Sequence, residues 1–450
     1  MRASRLPSAP YWNEAVETLA PEALSKLQLR LLTRQLRYVA ARSEFYRRKF
    51  DRAGFDPRDL RDVKDLQRVP FSAKQDLRES QAAAPPFGLH LAAPLDRIVR
   101  VQSTAGTSGK PVYQAFTAAD LVRQGEYGAR QYWAWGIRPG DRVVNCFSLS
   151  MTAGFNQSVM VEGMGVTNIP AGAEGGTERI LRVIRDLEVT VLLCTPSFAE
   201  HLAEKAAEVL GRPASSLGVR VICGGGEPGF ELPAIRDKLE LLWGTHHVYD
   251  CGSMTDAHPN IFANCRLRNG KHQLTPDFGF IELIDPDTLA PVAMAEGAQG
   301  EYVFTHLQRE ACPLVRYRSG DIVRIATGPC GCGRTGLRIW YIGRSDEMLI
   351  VRGMNVFPSA IKAVVSEFVG RTTGQIRIVL KEPGPRAEAP LHIRVEHTGQ
   401  VPPEAREPLA LEIEGALQTR LRFRPRVELL PPDSLERGTW KAKLLEIVRS

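Results

Sequence analysis

The 450-residue sequence contains no apolar run approaching the roughly 18 residues that a membrane-spanning helix needs. Its first residues, MRASRLPSAPYWNEA, include no apolar stretch of the secretory type, so we expect a cytoplasmic protein. Cysteine is scarce: eight residues in so long a chain are too few for a disulfide framework, and most should be reduced thiols. No repeat or low-complexity tract is found.

Charge of one sign is not concentrated anywhere in the chain. The net charge is +7, but the charged residues, 24% of the total, are scattered, which suits a small anionic ligand at least as well as nucleic acid. We therefore predict a small-molecule partner, with neither nucleic acid nor a membrane involved. The 43% hydrophobic content is that of an ordinary soluble protein, and the length predicts two or more cores.

The spacing of apolar residues predicts an α/β fold. Residues 12–50 have helical periodicity, and from about residue 98 short β-rich runs alternate with helical stretches, the pattern of a mostly parallel sheet. Residues 277–325 read as hairpins, and a smaller α+β unit follows Asp346. We predict a large domain over 1–345, with parallel sheets and a β-rich part, and a small mobile domain over 346–450.

The most informative stretch runs from Ser103 to Pro111, STAGTSGKP. Small residues let backbone N–H groups approach phosphate oxygens, hydroxyls add donors, and Lys110 adds a positive charge. The spacing is not that of the Walker motif, because Gly106 and Gly109 are only three apart and neither Ser nor Thr follows the lysine. The stretch predicts a triphosphate cradle; an ordinary surface turn is the alternative.

Later segments add the other groups that a bound nucleotide needs. Residues 252–256, GSMTD, follow a predicted strand and end in a carboxylate suited to Mg²⁺. Residues 316–321, RYRSGD, offer Asp321 for a pair of sugar hydroxyls, and residues 343–358 read GRSDEMLIVRGMNVFP. Near the carboxyl end, Lys441 lies in GTWKAK.

These segments, in this order, resemble those of the adenylate-forming superfamily of acyl-CoA synthetases, and most closely its phenylacetate-CoA ligase branch with the coenzyme F synthetase-like members. The resemblance implies that the β- and γ-phosphates of ATP lie against the cradle, that Thr255 and Asp256 serve the Mg²⁺ site, and that adenine lies against a glycine-rich turn. Asp321 would bind the ribose with help from Arg344, and Lys441, with Lys443 as rival, would steady the acyl phosphate. The implied cradle residues are Ser103, Thr104, Gly106, Thr107, Ser108, Gly109 and Lys110, and those of the turn are Gly225, Gly226 and Glu227.

Two departures from the family pattern lie in one loop. Gly252 and Ser253 occupy the positions of the family's aromatic residue and glycine, and Asp256 replaces a glutamate that is one methylene longer. The first departure puts adenine stacking at this loop in doubt. The second predicts that the metal is shifted or bound through water.

The resemblance also implies the reaction. A carboxylic acid attacks the α-phosphorus of ATP, pyrophosphate leaves, and the acyl-adenylate passes its acyl group to the thiol of coenzyme A after the small domain rotates about Asp346. Transfer to an amine or a carrier-protein thiol is the alternative within the superfamily. A degenerate member that only binds nucleotide or nucleic acid is the alternative outside enzymology.

Four cysteine and histidine residues suggest a structural zinc site. Cys330-Gly331-Cys332 can give two thiolates to one metal, and Cys265 with His272 resembles the pair that completes such a site in some relatives. Cys251 and His258 are a rival pair, and unligated thiols are the alternative to any metal.

The likeness also places the acid pocket after the strand RVVNCF and around residues 224–258. We predict an aryl acid there, lined by Phe147, Phe155, Cys251 and His258; plain core packing is the alternative for each. A homodimer is a further expectation from the relatives.

Overall fold

The computed structural model describes residues 10–104, 111–150, 153–352, 354–382, 384–435 and 444–448. Its α-helices are α1 Glu14–Glu17, α2 Pro21–Arg42, α3 Glu44–Ala53, α4 Lys74–Ala83, α5 Ala118–Ala134, α6 Ala153–Gly163, α7 Thr177–Asp186, α8 Pro196–Leu210, α9 Pro233–Trp243, α10 Pro358–Ser366 and α11 Pro403–Leu421. Short 3₁₀ turns occur at Pro57–Asp59, Val63–Arg68, Leu95–Arg97, Ala173–Gly175 and Ala214–Ser216.

The β-strands form four sheets. They are β1 Ile98–Ser103, β2 Tyr113–Thr117, β3 Arg142–Asn145, β4 Thr167–Ile169, β5 Val191–Cys194, β6 Val221–Gly224, β7 Val248–Met254, β8 His258–Asn264, β9 Lys271–Gln273, β10 Gly279–Ile284, β11 Pro291–Val292, β12 Gln299–His306, β13 Tyr317–Ala326, β14 Arg338–Arg344, β15 Leu349–Val351, β16 Met354–Val356, β17 Thr372–Leu380, β18 Arg386–Ala387, β19 Leu391–His397, β20 Pro425–Leu430 and β21 Leu445–Ile447.

A twelve-stranded mixed sheet forms the centre, in the order β11-β10-β12-β13-β14-β9-β8-β7-β6-β5-β3-β4. Strands β4, β3, β5, β6 and β7 are parallel, and pairing turns antiparallel at β7–β8 and stays so to β11. The predicted parallel sheet and the predicted hairpins are therefore both confirmed, as two parts of one sheet.

Helices cover both faces of the parallel part. In β5, Leu192 packs with Ile180 and Ile184 of α7, whereas Val191 and Leu193 face the cluster that contains α5 and α6. Alternate residues point to opposite faces, so a strand buried on both sides must be apolar throughout. Full burial of each such side chain contributes about 1.5–3 kcal/mol.

The predicted amino-terminal helical region is confirmed as α2 and α3. Leu32 and Leu36 of α2 are fully buried with Tyr46 of α3, and the Tyr46 hydroxyl donates to the carbonyl of Pro313 at 3.0 Å. Ser43 caps α3 through its hydroxyl, and Gly54 ends the helix at a left-handed φ of 58°. These helices brace the outer, antiparallel half of the large sheet.

The segment after residue 346 has its own core, as its α+β pattern predicts. Strands β20, β19, β17 and β21 form a four-stranded sheet, and α10 and α11 pack on it through Ile361, Val365 and Ile413. A three-stranded sheet of β16, β15 and β18 lies beside it. In the part of the chain that the structure describes, no helix has the length and apolarity required to cross a bilayer.

Candidate active site

The carboxyl ends of the parallel strands bring distant loops together. Gly224 ends β6 and Gly225 follows it, and a Cβ atom on Gly224 would lie 1.9 Å from the carbonyl oxygen of Cys194, at the end of β5. A Cβ atom on Gly225 would lie 2.8 Å from the Cys251 carbonyl oxygen. Glycine is required because the backbones touch here, and loops at this edge of a parallel sheet commonly form ligand sites.

Two of the four predicted acid-pocket residues meet beside this turn. The Phe147 ring is 3.1 Å from the Cβ position of Gly224, and the Cys251 sulfur is 3.1 Å from that of Gly225. Both side chains are half-buried. Phe155 lies elsewhere, 46% exposed, with its ring under the guanidinium of Arg100. His258 belongs to β8, and its side chain lies outside what the structure describes.

Glu227 follows the glycine-rich turn and accepts a hydrogen bond from the first turn of α8. The residue is 6% exposed, and its Oε1 accepts the backbone N–H of Ser197 at 2.8 Å, in the first turn of α8. A carboxylate at a helix amino end is stabilised by the free N–H groups and by the helix dipole. Gly226, with φ 94°, completes the bend that brings Glu227 there.

Asp256 lies in the turn between β7 and β8, close to Thr255. Its Oδ1 is buried without a hydrogen bond of standard geometry from the described residues, the Tyr317 hydroxyl interacts with the carboxylate, and Oδ2 lies 3.5 Å from Nζ of Lys74. Lys74 begins α4 and was missed by the sequence reasoning, because nothing local links positions 182 residues apart. An orphan carboxylate oxygen beside a cation fits the donor that Mg²⁺ requires.

Arg344 connects two aspartates, Asp321 and Asp346. Asp321 and Arg344 are opposite each other on β13 and β14, and Nη1 of Arg344 donates to Oδ1 of Asp321 at 2.9 Å. The same guanidinium binds both carboxylate oxygens of Asp346, at 2.8 and 3.0 Å. Burial by itself would lower the pKa of Arg344, but Asp346 and Asp321 raise it above its usual value. Arg344 is therefore a fixed cation between the two parts of the chain.

The base of the predicted phosphate cradle is described, and its tip is not. Ser103 ends β1 opposite Tyr113, and Thr104, 3% exposed, accepts the N–H of Val112 on its hydroxyl at 3.1 Å. Residues 105–110, with Gly106, Thr107, Ser108, Gly109 and Lys110, lie outside the described residues, as do Lys441 and Lys443.

The position left empty by Gly252 is filled from another strand. A Cβ atom on Gly252 would lie 2.4 Å from the Tyr341 ring of β14. Tyr341 packs edge-on to Tyr302, whose hydroxyl donates to Oδ2 of Asp321 at 3.4 Å. An aromatic ring thus stands beside the loop that lacks one. The sequence signal for it, the tyrosine three residues before Arg344, was overlooked.

The four predicted metal ligands converge on one point. The ligand atoms of Cys265, His272, Cys330 and Cys332 all lie within 4.8 Å of one another. The Cys265 and Cys330 sulfurs are 3.9 Å apart, and the Cys332 sulfur is 3.5 Å from Nε2 of His272. A tetrahedral zinc ion needs separations of about 3.8 Å for two sulfurs and about 3.6 Å for sulfur and nitrogen. This set of donors therefore fits zinc, and Cys251 of the rival pair is not part of it.

The amino-terminal segment is tied to this cysteine cluster. The Tyr11 hydroxyl donates to the Cys332 carbonyl oxygen at 2.9 Å, and Arg334 pairs with Glu17 at 2.7 Å.

Hydrogen bonding from Cys265, followed by His272, holds the pKa of the Cys332 thiol well below its usual range. A thiolate at Cys332 is the form that binds a metal.

Comparison with solved structures defines the class of protein. The chain superposes on crystal structures of 2-hydroxyisobutyryl-CoA ligase in the postadenylation state, with its acyl-AMP bound, at a TM-score of 0.92 and 33% identity, over 99% of this chain and 94% of that one. Against the same ligase in the thioesterification state with coenzyme A, the TM-score is 0.73. The fold and site are those of an adenylate-forming ligase.

Curated sequences and family models agree with this. The "AMP-binding enzyme" model matches residues 32–306, and the "AMP-binding enzyme C-terminal domain" model matches 353–446. The phenylacetate-coenzyme A ligase of Thermus thermophilus is 37% identical over 84% of this chain and 83% of its own length, and that of Escherichia coli is 33% identical over 79% of each. The chain belongs to the AMP-binding enzyme family, as an AMP-forming acid–CoA ligase.

Proposed function

We propose that this ligase activates an aryl carboxylic acid. Two phenylacetate-CoA ligases are 37% and 33% identical to this chain over 84% and 79% of its length. The half-buried wall of Phe147 and Cys251 beside the Gly224–Gly225 turn supplies the apolar contact that an aromatic ring needs. The observation that carries the proposal is that Phe147 and Cys251 lie beside the Gly224–Gly225 turn, at the carboxyl end of β6.

In the proposed complex, the nucleotide lies across the same strand ends. Asp321 accepts the ribose hydroxyls, and Arg344 holds that carboxylate in place through the 2.9 Å contact. Ser103 and Thr104 begin a phosphate cradle continued by Gly106, Thr107, Ser108, Gly109 and Lys110. Adenine lies against Gly225 and Gly226, and the ring of Tyr341 supplies the aromatic face missing at Gly252.

Asp256, with Thr255 beside it, is the proposed Mg²⁺ residue. When bound, the metal neutralises charge on the phosphates. Oδ1 of Asp256 is free to receive it, and Lys74 holds Oδ2 so that the carboxylate keeps one orientation. Because Lys74 is already placed beside this carboxylate, it also offers a cation to the departing pyrophosphate.

Catalysis then depends mostly on position and charge. The substrate carboxylate oxygen attacks the α-phosphorus, the bond to pyrophosphate breaks, and an acyl–AMP anhydride forms. Lys441 is the proposed donor to the acyl-phosphate oxygens. The thiolate sulfur of coenzyme A next attacks the acyl carbon, AMP leaves, and a thioester remains. We place the domain boundary at 345/346, with Asp346 as hinge.

We further propose that Cys265, His272, Cys330 and Cys332 bind one structural zinc ion. The tetrahedral spacing of their ligand atoms supports it, and a set of four protein donors leaves no position for substrate. A homodimer and a cytoplasmic location stay predictions.

ATP–pyrophosphate exchange over a panel of acids tests the proposed substrate. We expect exchange with benzoates or phenylacetates, and mass spectrometry should then find aryl-CoA only when coenzyme A is added. The panel includes short 2-hydroxy acids, since 2-hydroxyisobutyryl-CoA ligase is a structural relative. Exchange with aliphatic acids alone would overturn the aryl assignment, and amide formation without coenzyme A would overturn the acceptor.

The catalytic lysine is tested with two variants. Lys441→Ala should reduce exchange by about 100-fold or more while the unfolding midpoint stays unchanged. Lys443→Ala is the matched control and should keep exchange near that of the unmodified chain. The reverse result would move the role to Lys443.

A further inference from the structure

One cavity of the structure is lined by neither Phe147 nor Cys251. It has a volume of about 330 Å³ and opens between β1, the loop after β3, and α6. Its lining residues are Arg100, Val101, Gln102, Leu149, Ser150, Phe155 and Asn156. Phe155, predicted for the acid pocket, is one of these lining residues, and none of the nucleotide-binding residues assigned above is among them.

Arg100 brings an uncompensated positive charge to the cavity. Its guanidinium stacks on the Phe155 ring at 4.8 Å and donates to Oδ1 of Asn156 at 3.1 Å, and both partners are neutral. Within the described ranges Arg100 forms no ion pair, and the neighbouring segments 105–110 and 151–152 contain no acidic residue. Half-burial lowers the pKa of Arg100, because no carboxylate offsets the loss of water.

Gln102 adds a buried donor on the same face of β1. The residue is 2% exposed, and Nδ2 of Asn156 donates to its Oε1. Nε2 of Gln102 has no hydrogen-bond partner among the described residues. Burying a donor without an acceptor is unfavourable, so an acceptor that enters the cavity is favoured.

We propose that this cavity binds a phosphate group of one of the enzyme's own substrates or products, with Arg100 and Gln102 as its donors. A planar guanidinium beside an amide N–H₂ suits phosphate oxygens. Strand β1 continues from Arg100 into the proposed phosphate cradle, and Thr104 is only about 13 Å further along the strand. The inference depends on the proposed function only because that function names pyrophosphate and coenzyme A as reactants.

Two reactants can supply such a phosphate. Pyrophosphate leaves the cradle after the first half-reaction, and coenzyme A brings a 3′-phosphate in the second. The chemistry that the cavity recognises is the same in both cases, and kinetics can separate them.

The test compares Arg100→Gln with Arg185→Gln, a surface arginine paired with Asp186. KM for pyrophosphate is measured in the exchange reaction, and KM for coenzyme A in thioester synthesis. We expect Arg100→Gln to raise one of these KM values about tenfold while Arg185→Gln leaves both unchanged. Arg100→Lys, which keeps the charge, should recover part of the loss.

Dephospho-coenzyme A identifies the source. If coenzyme A is the ligand, the unmodified enzyme binds dephospho-coenzyme A more weakly than coenzyme A, and Arg100→Gln no longer distinguishes them. If pyrophosphate is the ligand, only its KM changes. If neither KM rises by more than about twofold, the proposal is wrong.

Calorimetric titration with pyrophosphate and with coenzyme A gives a readout independent of turnover. Arg100→Gln should weaken one of these two bindings, and equal binding by both proteins would overturn the proposal. Absence of exchange with every acid would instead contradict the proposed function, and this titration would still test the cavity.

Discussion

At residue 252 the lack of a side chain admits the ring of Tyr341. The ring of Tyr341, in β14, occupies the space that a Cβ atom on Gly252 would need, so it packs directly against the backbone of β7. The space beside Gly252 is thus filled by an aromatic ring from a different strand.

We expect Gly252→Ala to destabilise the protein by about 1–3 kcal/mol, because the new methyl group must displace Tyr341. The measurement is urea unfolding, with KM for ATP followed in parallel. Gly125→Ala is the matched control: it lies within α5 with no atom near its Cβ position, and should raise stability by about 0.5–1 kcal/mol. Equal stability of the two variants would contradict the steric account.

A buried histidine predicts a pH effect on stability. Burial lowers the pKa of His90 to about 4, and its Nδ1 lies 2.9 Å from the Ser80 hydroxyl. Below about pH 6.5 the His90 imidazole binds a proton in the unfolded chain, whereas in the folded chain it stays neutral until the pH approaches about 4. The free energy of unfolding therefore falls from pH 6.5 toward 4, by about 2 kcal/mol at pH 5.

His90→Gln is the comparison, because an amide can keep the contact with Ser80 but does not titrate. Between pH 7.5 and 5 its unfolding free energy should fall by about 2 kcal/mol less than that of the unmodified chain. Parallel pH profiles for the two proteins would exclude His90 as the source.

At the scale of elements, the cysteine cluster connects two loops and a strand. Cys265 follows β8, His272 lies in β9, and the loop with Cys330 and Cys332 joins β13 to β14. The Tyr11 contact then anchors the amino-terminal segment to the same loop.

Cys332→Ser should lower bound zinc from about one equivalent to below about a tenth and destabilise the fold by about 1–3 kcal/mol. The measurements are elemental analysis after dialysis and urea unfolding. Limited proteolysis should cut near residues 10–19 sooner in the variant, since the Tyr11 anchor is loosened. Cys312→Ala, outside the cluster, should keep its zinc; a zinc-free unmodified protein would refute the assignment.

At the scale of the whole molecule, the proposed function predicts that the relation between the two parts of the chain decides which half-reaction is possible. The chain matches one ligase at a TM-score of 0.92 in the postadenylation state and 0.73 in the thioesterification state. The arrangement of this chain is therefore more similar to the postadenylation state of that ligase. With the proposed hinge at Asp346, we expect thioester formation to require movement of the segment that follows it.

Asp346→Pro tests the hinge, because proline fixes φ. We expect thioester formation from preformed acyl-adenylate to slow by about tenfold or more, while pyrophosphate exchange changes by less than about threefold. Asp346→Ala removes the contacts to Arg344 but leaves φ free, and should impair the thioester step less. Equal loss of both half-reactions in the proline variant would argue against a hinge at this position.

Local patterns predicted much of the fold and part of the site. The helices at 358–366 and 403–421, the parallel strands and the hairpins of β10, β12 and β13 all follow from periodicity and turn residues. The cysteine and histidine set was also found from the sequence, with the help of the family resemblance. The placement of Phe155 in the acid pocket stays a prediction: the structure shows it 46% exposed beside Arg100, and exposure of an aromatic cannot be read from the sequence.

What the sequence determined by itself is the order of elements and the kinds of chemical group available, because turns, caps and apolar periodicity act over a few residues. The tertiary structure alone decided that Lys74 reaches Asp256, that Tyr341 fills the space of Gly252, and that Arg100 faces a cavity without a carboxylate. Each of these depends on packing between segments distant in the chain, and local energetics do not specify which distant side chains meet.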